Sequence, residues 1–309
     1  MKIRAVSCSG GKDSSASLLL AIDRHPLEEI RGVFADTGNE HEATYEYVTE
    51  YLPKATGVKI QIVKAEFADE IARTRTRLER FAAGEPDPRG KYRWTPERAK
   101  AALDVLHPTG VPFLDLCLAK GMFPTRSRQF CTERLKIWPM MEWTANMLDE
   151  GHEVESWQGV RRDESPRRRG LPERDDRGGG YTIYRPILEW TSQNSIDFVI
   201  SKGLRVNDLY MQGMNRVGCM PCIQLNKAEL AQIAKRFPQH IARIAQWEAL
   251  VNVANKTGRA SFLYSGDEDG KGIYSRVEWA KTARGGKQYD LLQTMEEPSA
   301  CASAYGLCE

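Results

Sequence analysis

Ser9-Gly10-Gly11-Lys12-Asp13-Ser14 decides the reading of this chain. It stands between Lys2 to Cys8, which reads as a short buried strand, and Ser14 to His25, which reads as a helix. Each residue type in the hexapeptide suits an anion. The two glycines let backbone N–H groups approach it without Cβ hindrance. The helix that follows points its N-terminal dipole and free N–H groups at the same spot. Ser9 and Ser14 add hydroxyl donors and Lys12 adds a cation. The stretch reads as a pyrophosphate cradle, different from the G-x-x-x-x-G-K-S/T loop.

Outward from that loop, strand and helix signals alternate. Ile30 to Ala35 and Lys59 to Ala65 read as strands, with a helix from Glu42 to Leu52 stopped by Pro53. Strands spaced by helices predict βαβ units and a doubly wound α/β fold on a parallel sheet. Such sheets take ligands beyond the carboxyl ends of their strands. Asp36, Thr37 and Gly38 fall at one of those ends, where an acidic group suits an adenosine or a metal ion.

Residues 67–128 read as a charged helical insertion covering the sheet, with a polar break from Gly84 to Lys91. Cys131 to Leu148 reads as an amphipathic helix, Ser156 to Val160 as a strand and residues 161–180 as a mobile loop rich in Arg, Asp and Gly. Order resumes at Tyr184 to Trp190, followed by a helix from Ser192 to Lys202. The expected division is a nucleotide-binding domain over 1–204 and a smaller unit over 205–309. The second unit carries Cys219, Cys222, a helical stretch from Lys227 to Lys256 and a tail with Cys301 and Cys308.

Composition narrows the class. The chain has 309 residues, 41% of them hydrophobic and 28% charged, which is too much core-forming material for global disorder. A net charge of +2, from 44 basic and 42 acidic residues, excludes a uniformly basic nucleic-acid coat but not a local patch. No stretch nears the roughly 18 to 20 apolar residues of a membrane span. The early run from Ala16 to Ile22 lacks a signal-peptide layout, so a cytoplasmic location is expected. Thiols stay reduced there, and seven cysteines against five histidines point to metal or catalysis before disulfides.

The S-G-G-K-D-S loop resembles the signature of the PP-loop ATP pyrophosphatases, which cleave ATP between the α and β phosphates. Three further stretches extend the likeness: Cys131-Thr132-Glu133-Arg134-Leu135-Lys136, then Gly159-Val160-Arg161-Arg162-Asp163-Glu164-Ser165, then Arg185-Pro186-Ile187 with Trp190. In this order they resemble the phosphoadenosine phosphosulfate (PAPS) reductase family over about residues 1–225. The resemblance implies that Ser9, Gly10, Gly11, Lys12, Asp13 and Ser14 hold the β and γ phosphates of ATP with Mg²⁺. Asp36, Thr37, Gly38 and Gly159 would complete the nucleotide site. Arg161 and Arg162 suit an accepting oxyanion, because guanidinium forks match oxyanions bidentately. Lys12, Asp13, Arg161 and Arg162 are thus the candidate catalytic groups. Arg167, Arg168 and Arg169 divide evenly between a solvated face and substrate binding.

Gly218-Cys219-Met220-Pro221-Cys222 is a C-x-x-C, a spacing at which two thiolates can share one metal or cluster. Cys131 is the third candidate ligand, and Cys301 and Cys308 compete for the fourth position. Cys8 and Cys117 read as small core residues. A thiol-only set favours an iron–sulfur cluster, 4Fe–4S in form, over zinc, with a redox-only C-x-x-C as the remaining reading. An intact PP-loop with a four-cysteine cluster is similar to the DNA phosphorothioation proteins of the Dnd and Ssp systems.

That resemblance implies an enzyme forming AMP and pyrophosphate while activating an oxyanion or a DNA backbone phosphate for sulfur transfer. ATP, DNA and a sulfur donor such as a cysteine desulfurase would be its partners. Three alternatives remain at this level. The first is a PAPS or adenylylsulfate reductase forming sulfite, whose usual terminal Glu-Cys-Gly-Leu order is replaced here by Tyr305-Gly306-Leu307-Cys308-Glu309. The second is an enzyme like the small subunit of sulfate adenylyltransferase, and the third a non-catalytic nucleotide-binding subunit.

Overall fold

The computed structural model describes residues 1–88, 93–263 and 272–282. Its centre is a six-stranded α/β sheet. The first elements in chain order are β1 (Lys2–Ser7), α1 (Lys12–Arg24), β2 (Ile30–Asp36), α2 (Glu42–Glu46), α3 (Leu52–Thr56) and β3 (Ile60–Lys64). Helices α4 (Ala68–Ala82), α5 (Pro96–Val105) and α6 (Pro112–Lys120) make up the expected insertion. Then come α7 (Phe130–Thr132), α8 (Trp138–Asp149), β4 (Glu153–Trp157), β5 (Arg174–Gly178), β6 (Tyr181–Tyr184), α9 (Ser192–Ser201) and α10 (Asp208–Met211). Three helices follow: α11 (Lys227–Arg236), α12 (Pro238–Ala254) and α13 (Gly272–Lys281).

The strand order is β3-β2-β1-β4-β6-β5, parallel except for the antiparallel edge strand β5. Side chains alternate between two covered faces, as a strand requires. Ile3, Ala5, Val33 and Val154 pack with Trp143 of α8 on one face. Val6, Phe34 and Trp157 pack with Leu18 and Leu20 of α1 on the other. The doubly wound expectation therefore holds. The chain leaves β1 towards β2 and β3, then returns to β4 on the opposite side of β1. That reversal opens a crevice beyond the carboxyl ends of β1 and β4, where such sheets place ligands.

The described residues from 205 onward share a core with the insertion. Leu230, Ile244 and Val251 of α11 and α12 join Ile71, Leu78 and Leu116 of the insertion in one apolar cluster that also takes in Met220 and Leu225. Glu248 of α12 is 5% exposed and fastens this region from within. Its carboxylate accepts from Phe262 N–H (2.7 Å), Ile273 N–H (2.7 Å) and Ser261 Oγ (3.1 Å). Glu248→Ala leaves those donors unpaired, two of them buried amides, and is expected to cost about 2–4 kcal/mol in urea unfolding. A change under about 0.5 kcal/mol would refute the role.

Several boundaries differ from the sequence reading. Pro53 does not stop its helix. A π-helical turn over Tyr47–Tyr51 precedes it, and the run continues to Gly57, whose φ is +72°. A second π-helical turn, Glu133–Ile137, precedes Pro139 inside the expected Cys131–Leu148 helix. The wider turn eases the clash between a proline ring and the preceding carbonyls. Strand β4 ends at Trp157, earlier than expected, and Pro238 divides the expected Lys227–Lys256 helix in two. The segment read as a mobile loop contains β5. Cys8 and Cys117 are buried core residues, as expected. No helix among the described residues is long and apolar enough to cross a membrane.

Candidate active site

The hexapeptide forms the turn from β1 into α1, at the crevice. Gly10 has φ +77°, and a Cβ there would meet Thr44 Cγ2 at 2.8 Å and Val48 Cγ2 at 3.0 Å. Only glycine fits the turn. Ser14 Oγ accepts from Ser9 N–H (3.2 Å) and donates to the Gly11 carbonyl (2.9 Å), which closes the loop. Gly11 is the N-cap of α1 and offers no side-chain acceptor. Of the first-turn N–H groups, which have no intrahelical acceptor, those of Asp13 and Ser14 are left for an anion, whereas the Lys12 N–H donates to the Tyr210 hydroxyl.

A cavity of about 830 Å³ opens over this loop, lined by Gly11, Lys12, Asp13 and Ser14 and by Ala35 of β2. Its other walls include Glu40, Lys136, Gly159, Arg161, Arg168, Tyr210, Arg216 and Gly218. Lys12 is 8% exposed. Burial lowers its pKa, opposed by the charges of Asp13, Glu164 and Asp163. Its ammonium lies 5.0 Å from the centre of the Tyr210 ring.

Gly159 enters where β4 ends. A Cβ on it would lie 2.7 Å from the Asp13 carbonyl carbon and oxygen and 3.0 Å from Ser14 N. Its bare backbone is what lets the two ligand-side loops touch. Arg161 then reaches back to Asp13 (Nε–Oδ1 2.9 Å) and also pairs with Asp163. Asp13 thus holds Arg161 at the cavity wall. Arg162 stands apart from the cavity, paired with Glu189 and donating to the Leu171 carbonyl. Arg168 lines the cavity and pairs with Glu164. Arg216, which the sequence reading did not single out, also lines it and has no carboxylate partner among the described residues.

Asp36, Thr37 and Gly38 are not among the residues lining the cavity. Asp36 Oδ1 accepts from Gly38 N–H at 2.8 Å and closes a tight turn. Thr37 donates its N–H and hydroxyl to Glu40, and its Oγ1 lies 3.4 Å from Cys219 Sγ. The turn is clamped onto the C-x-x-C segment. Met220 N–H donates to the Asn39 carbonyl (2.7 Å), and Asn39 Nδ2 to the Pro221 carbonyl (3.0 Å).

Cys131 of α7 and the two thiols of the Cys219–Cys222 segment share Lys136. The Cys219 charge raises the Lys136 pKa against the opposing effect of burial, with Glu40, Cys222 and Cys131 adding to it. Burial pushes the Cys219 thiol up to about 12, with Lys136 pulling against it. Burial raises Cys131 as well, reinforced by Cys222. Among the described residues these three sulfurs do not form one of the groups whose ligand atoms converge closely enough to hold a metal, so Lys136 is what they share. Cys301 and Cys308 lie outside the described residues. A second donor group, unforeseen in the sequence, is His41, Glu42 and His240, whose ligand atoms lie within 4.8 Å of one another. His41 Nδ1 is already engaged there, accepting from Ala43 N–H to cap α2.

Comparison with known proteins follows the same outline. The model of the phosphoadenosine phosphosulfate reductase domain matches residues 3–86 and 118–225, skipping the middle of the helical insertion. The chain is 41% identical to an uncharacterized 37.8 kDa protein of Escherichia phage 186, over 99% of this chain and 97% of that one. It is 37% identical to an adenosine 5'-phosphosulfate reductase of Neisseria meningitidis serogroup B over 71 residues, 23% of this chain and 29% of the relative. The crystal structure of a phosphoadenylyl-sulfate reductase from Candida auris, in a phosphate complex, aligns with 70% of this chain and 80% of its own at 15% identity and a TM-score of 0.41.

Proposed function

The chain belongs to the phosphoadenosine phosphosulfate reductase domain family, and from that premise we propose that it is an ATP pyrophosphatase activating an oxyanion for sulfur transfer. One observation carries this reading. A single cavity has Ser9, Gly11, Lys12, Asp13 and Ser14 of the phosphate loop on one wall and Glu40, Lys136 and Gly218, neighbours of the thiols, on another. In the proposed reaction an acceptor oxygen attacks the α-phosphorus, the α–β bridging P–O bond breaks, and pyrophosphate leaves. Lys12 and the α1 N-terminus stabilise the charge on the departing group. Arg161, fixed by Asp13, and Arg216 hold the acceptor. Mg²⁺ with the nucleotide would neutralise further phosphate charge. A cluster held by Cys131, Cys219 and Cys222 would supply sulfide-level sulfur, which would bond to the activated acceptor as AMP leaves.

The acceptor proposed is a DNA backbone phosphate, supported by the resemblance to phosphorothioation proteins and by the guanidinium of Arg216, which has no carboxylate partner among the described residues. A sulfite-forming reductase is the second reading, favoured by the likeness to adenosine 5'-phosphosulfate reductase. The two separate in one assay. Anaerobically purified protein with a sulfur donor is given ATP and Mg²⁺ with sulfate, single-stranded DNA or duplex DNA, and, in parallel, adenylylsulfate with a dithiol reductant and no ATP. Equimolar AMP and pyrophosphate, increased by DNA, is the expected result. Sulfite from adenylylsulfate without pyrophosphate would establish the reductase instead. The same preparation should contain iron and acid-labile sulfide, which Cys219→Ser loses. A colourless protein with stoichiometric zinc would refute the iron–sulfur assignment.

A further inference from the structure

The phosphate loop is braced by a segment far from it in sequence, beyond residue 204. Asn207 caps α10, its side chain accepting from Leu209 N–H at 3.0 Å. The same side chain donates to the Gly10 carbonyl and to Thr44 Oγ1, each at 3.3 Å. One turn on, the Tyr210 hydroxyl accepts from the backbone N–H of Lys12 at 3.2 Å. A Cβ on Gly11 would stand 3.5 Å from the phenol oxygen, an ordinary van der Waals contact. Tyr210 is 3% exposed, yet it lines the cavity.

Two features make this hydroxyl more than a brace. Its oxygen takes the N–H of the first residue of α1, one of the groups that would otherwise face an anion. Its own proton has no acceptor among the described residues. Burial raises the phenol's pKa, so the group stays a neutral donor at physiological pH and does not repel phosphate. A hydroxyl that accepts from a helix N-terminal N–H is polarised into a stronger donor.

We infer that Tyr210 is a ligand of the nucleotide's polyphosphate, relaying the Lys12 N–H to a phosphate oxygen through its own O–H while its ring holds the Lys12 ammonium. This inference rests on the proposed ATP reading, because it needs a polyphosphate on the loop. It makes α10 part of the nucleotide site. It also predicts discrimination, because the hydroxyl serves the terminal phosphates and has no role towards AMP.

Calorimetric titration of the full chain with ATP, pyrophosphate and AMP, in native and Tyr210→Phe forms, tests the relay. Tyr210→Phe should weaken pyrophosphate and ATP binding about tenfold or more, the effect of losing a hydrogen bond to a charged group. AMP affinity should stay within about twofold. A merely structural role would weaken all three ligands together, and that outcome overturns the inference, as does unchanged pyrophosphate affinity. Tyr210→Trp keeps a ring and an N–H donor at this site. Its recovery of pyrophosphate affinity relative to Tyr210→Phe would support the donor role, and affinity no better than that of Tyr210→Phe would oppose it. If the native chain binds neither ATP nor pyrophosphate, the nucleotide reading itself fails, a result distinct from failure at Tyr210 alone.

Discussion

Lys12→Ala is expected to reduce pyrophosphate formation from ATP by about a thousandfold or more, with the fold retained. The ammonium is buried at the cavity wall and makes no hydrogen bond to a described residue, so its charge is available to a ligand. Removing one preorganised group that meets developing charge costs about 10²- to 10³-fold, and a cation on a transferring phosphate lies at the upper end. The fold should survive because alanine is the best helix former and α1 buries Leu18, Leu19 and Leu20 regardless. A second signature comes from pH. Burial lowers the Lys12 pKa, so pyrophosphate affinity should fall on an alkaline limb below the ordinary lysine value. Lys12→Arg should move that limb upward, since arginine stays charged. Lys12→Ala turnover within tenfold of native, in a continuous pyrophosphate assay, would sink the phosphate-loop assignment.

The parts of this site that were legible in sequence are those whose chemistry is local. The hexapeptide carries its glycines, hydroxyls and helix start within six positions, and its position between a strand and a helix follows from short-range patterning. Cys219 and Cys222 announce themselves by spacing. Long-range groups gave no such signal. Asn207 and Tyr210 look like ordinary residues of a short helix, and only the fold brings them to Gly10 and Lys12. Arg161 and Arg162 are adjacent and chemically alike, yet Arg161 is extended, with φ −120° and ψ 144°. Successive side chains of extended backbone point to opposite sides, so one faces the cavity and the other Glu189. The position of Asp36 at a strand end suggests a nucleotide contact, whereas its carboxylate bonds to its own turn. Aspartate competes for nearby backbone N–H groups in this way, and only geometry reveals it. Strand β5, Arg174-Asp175-Asp176-Arg177-Gly178, has no apolar alternation to betray it. Sheet edges tolerate such charge because one side lacks a neighbouring strand.

Gly159→Ala should be the most damaging single-methyl change at the site. The added Cβ would sit 2.7 Å from the carbonyl carbon and oxygen of Asp13, well inside ordinary van der Waals contact. Those are backbone atoms of the first turn of α1, so no side-chain rotation relieves the overlap. Either the loop after β4 or the start of α1 must shift by several tenths of an ångström. Overpacking of this kind costs about 1–3 kcal/mol of stability. The functional loss should be larger, because the shift separates the Asp13–Arg161 pair and tilts the N–H groups that face the anion. A misplacement near 1 Å at reacting groups costs on the order of 100-fold. Gly170→Ala is the control, with nothing within 4 Å of its added Cβ. ATP titration and thermal melting of both variants decide the matter. Gly159→Ala should lose ATP affinity by about 100-fold and melt several degrees lower, with Gly170→Ala close to native. Native ATP affinity in Gly159→Ala would mean that the close approach of the two loops is incidental to nucleotide binding.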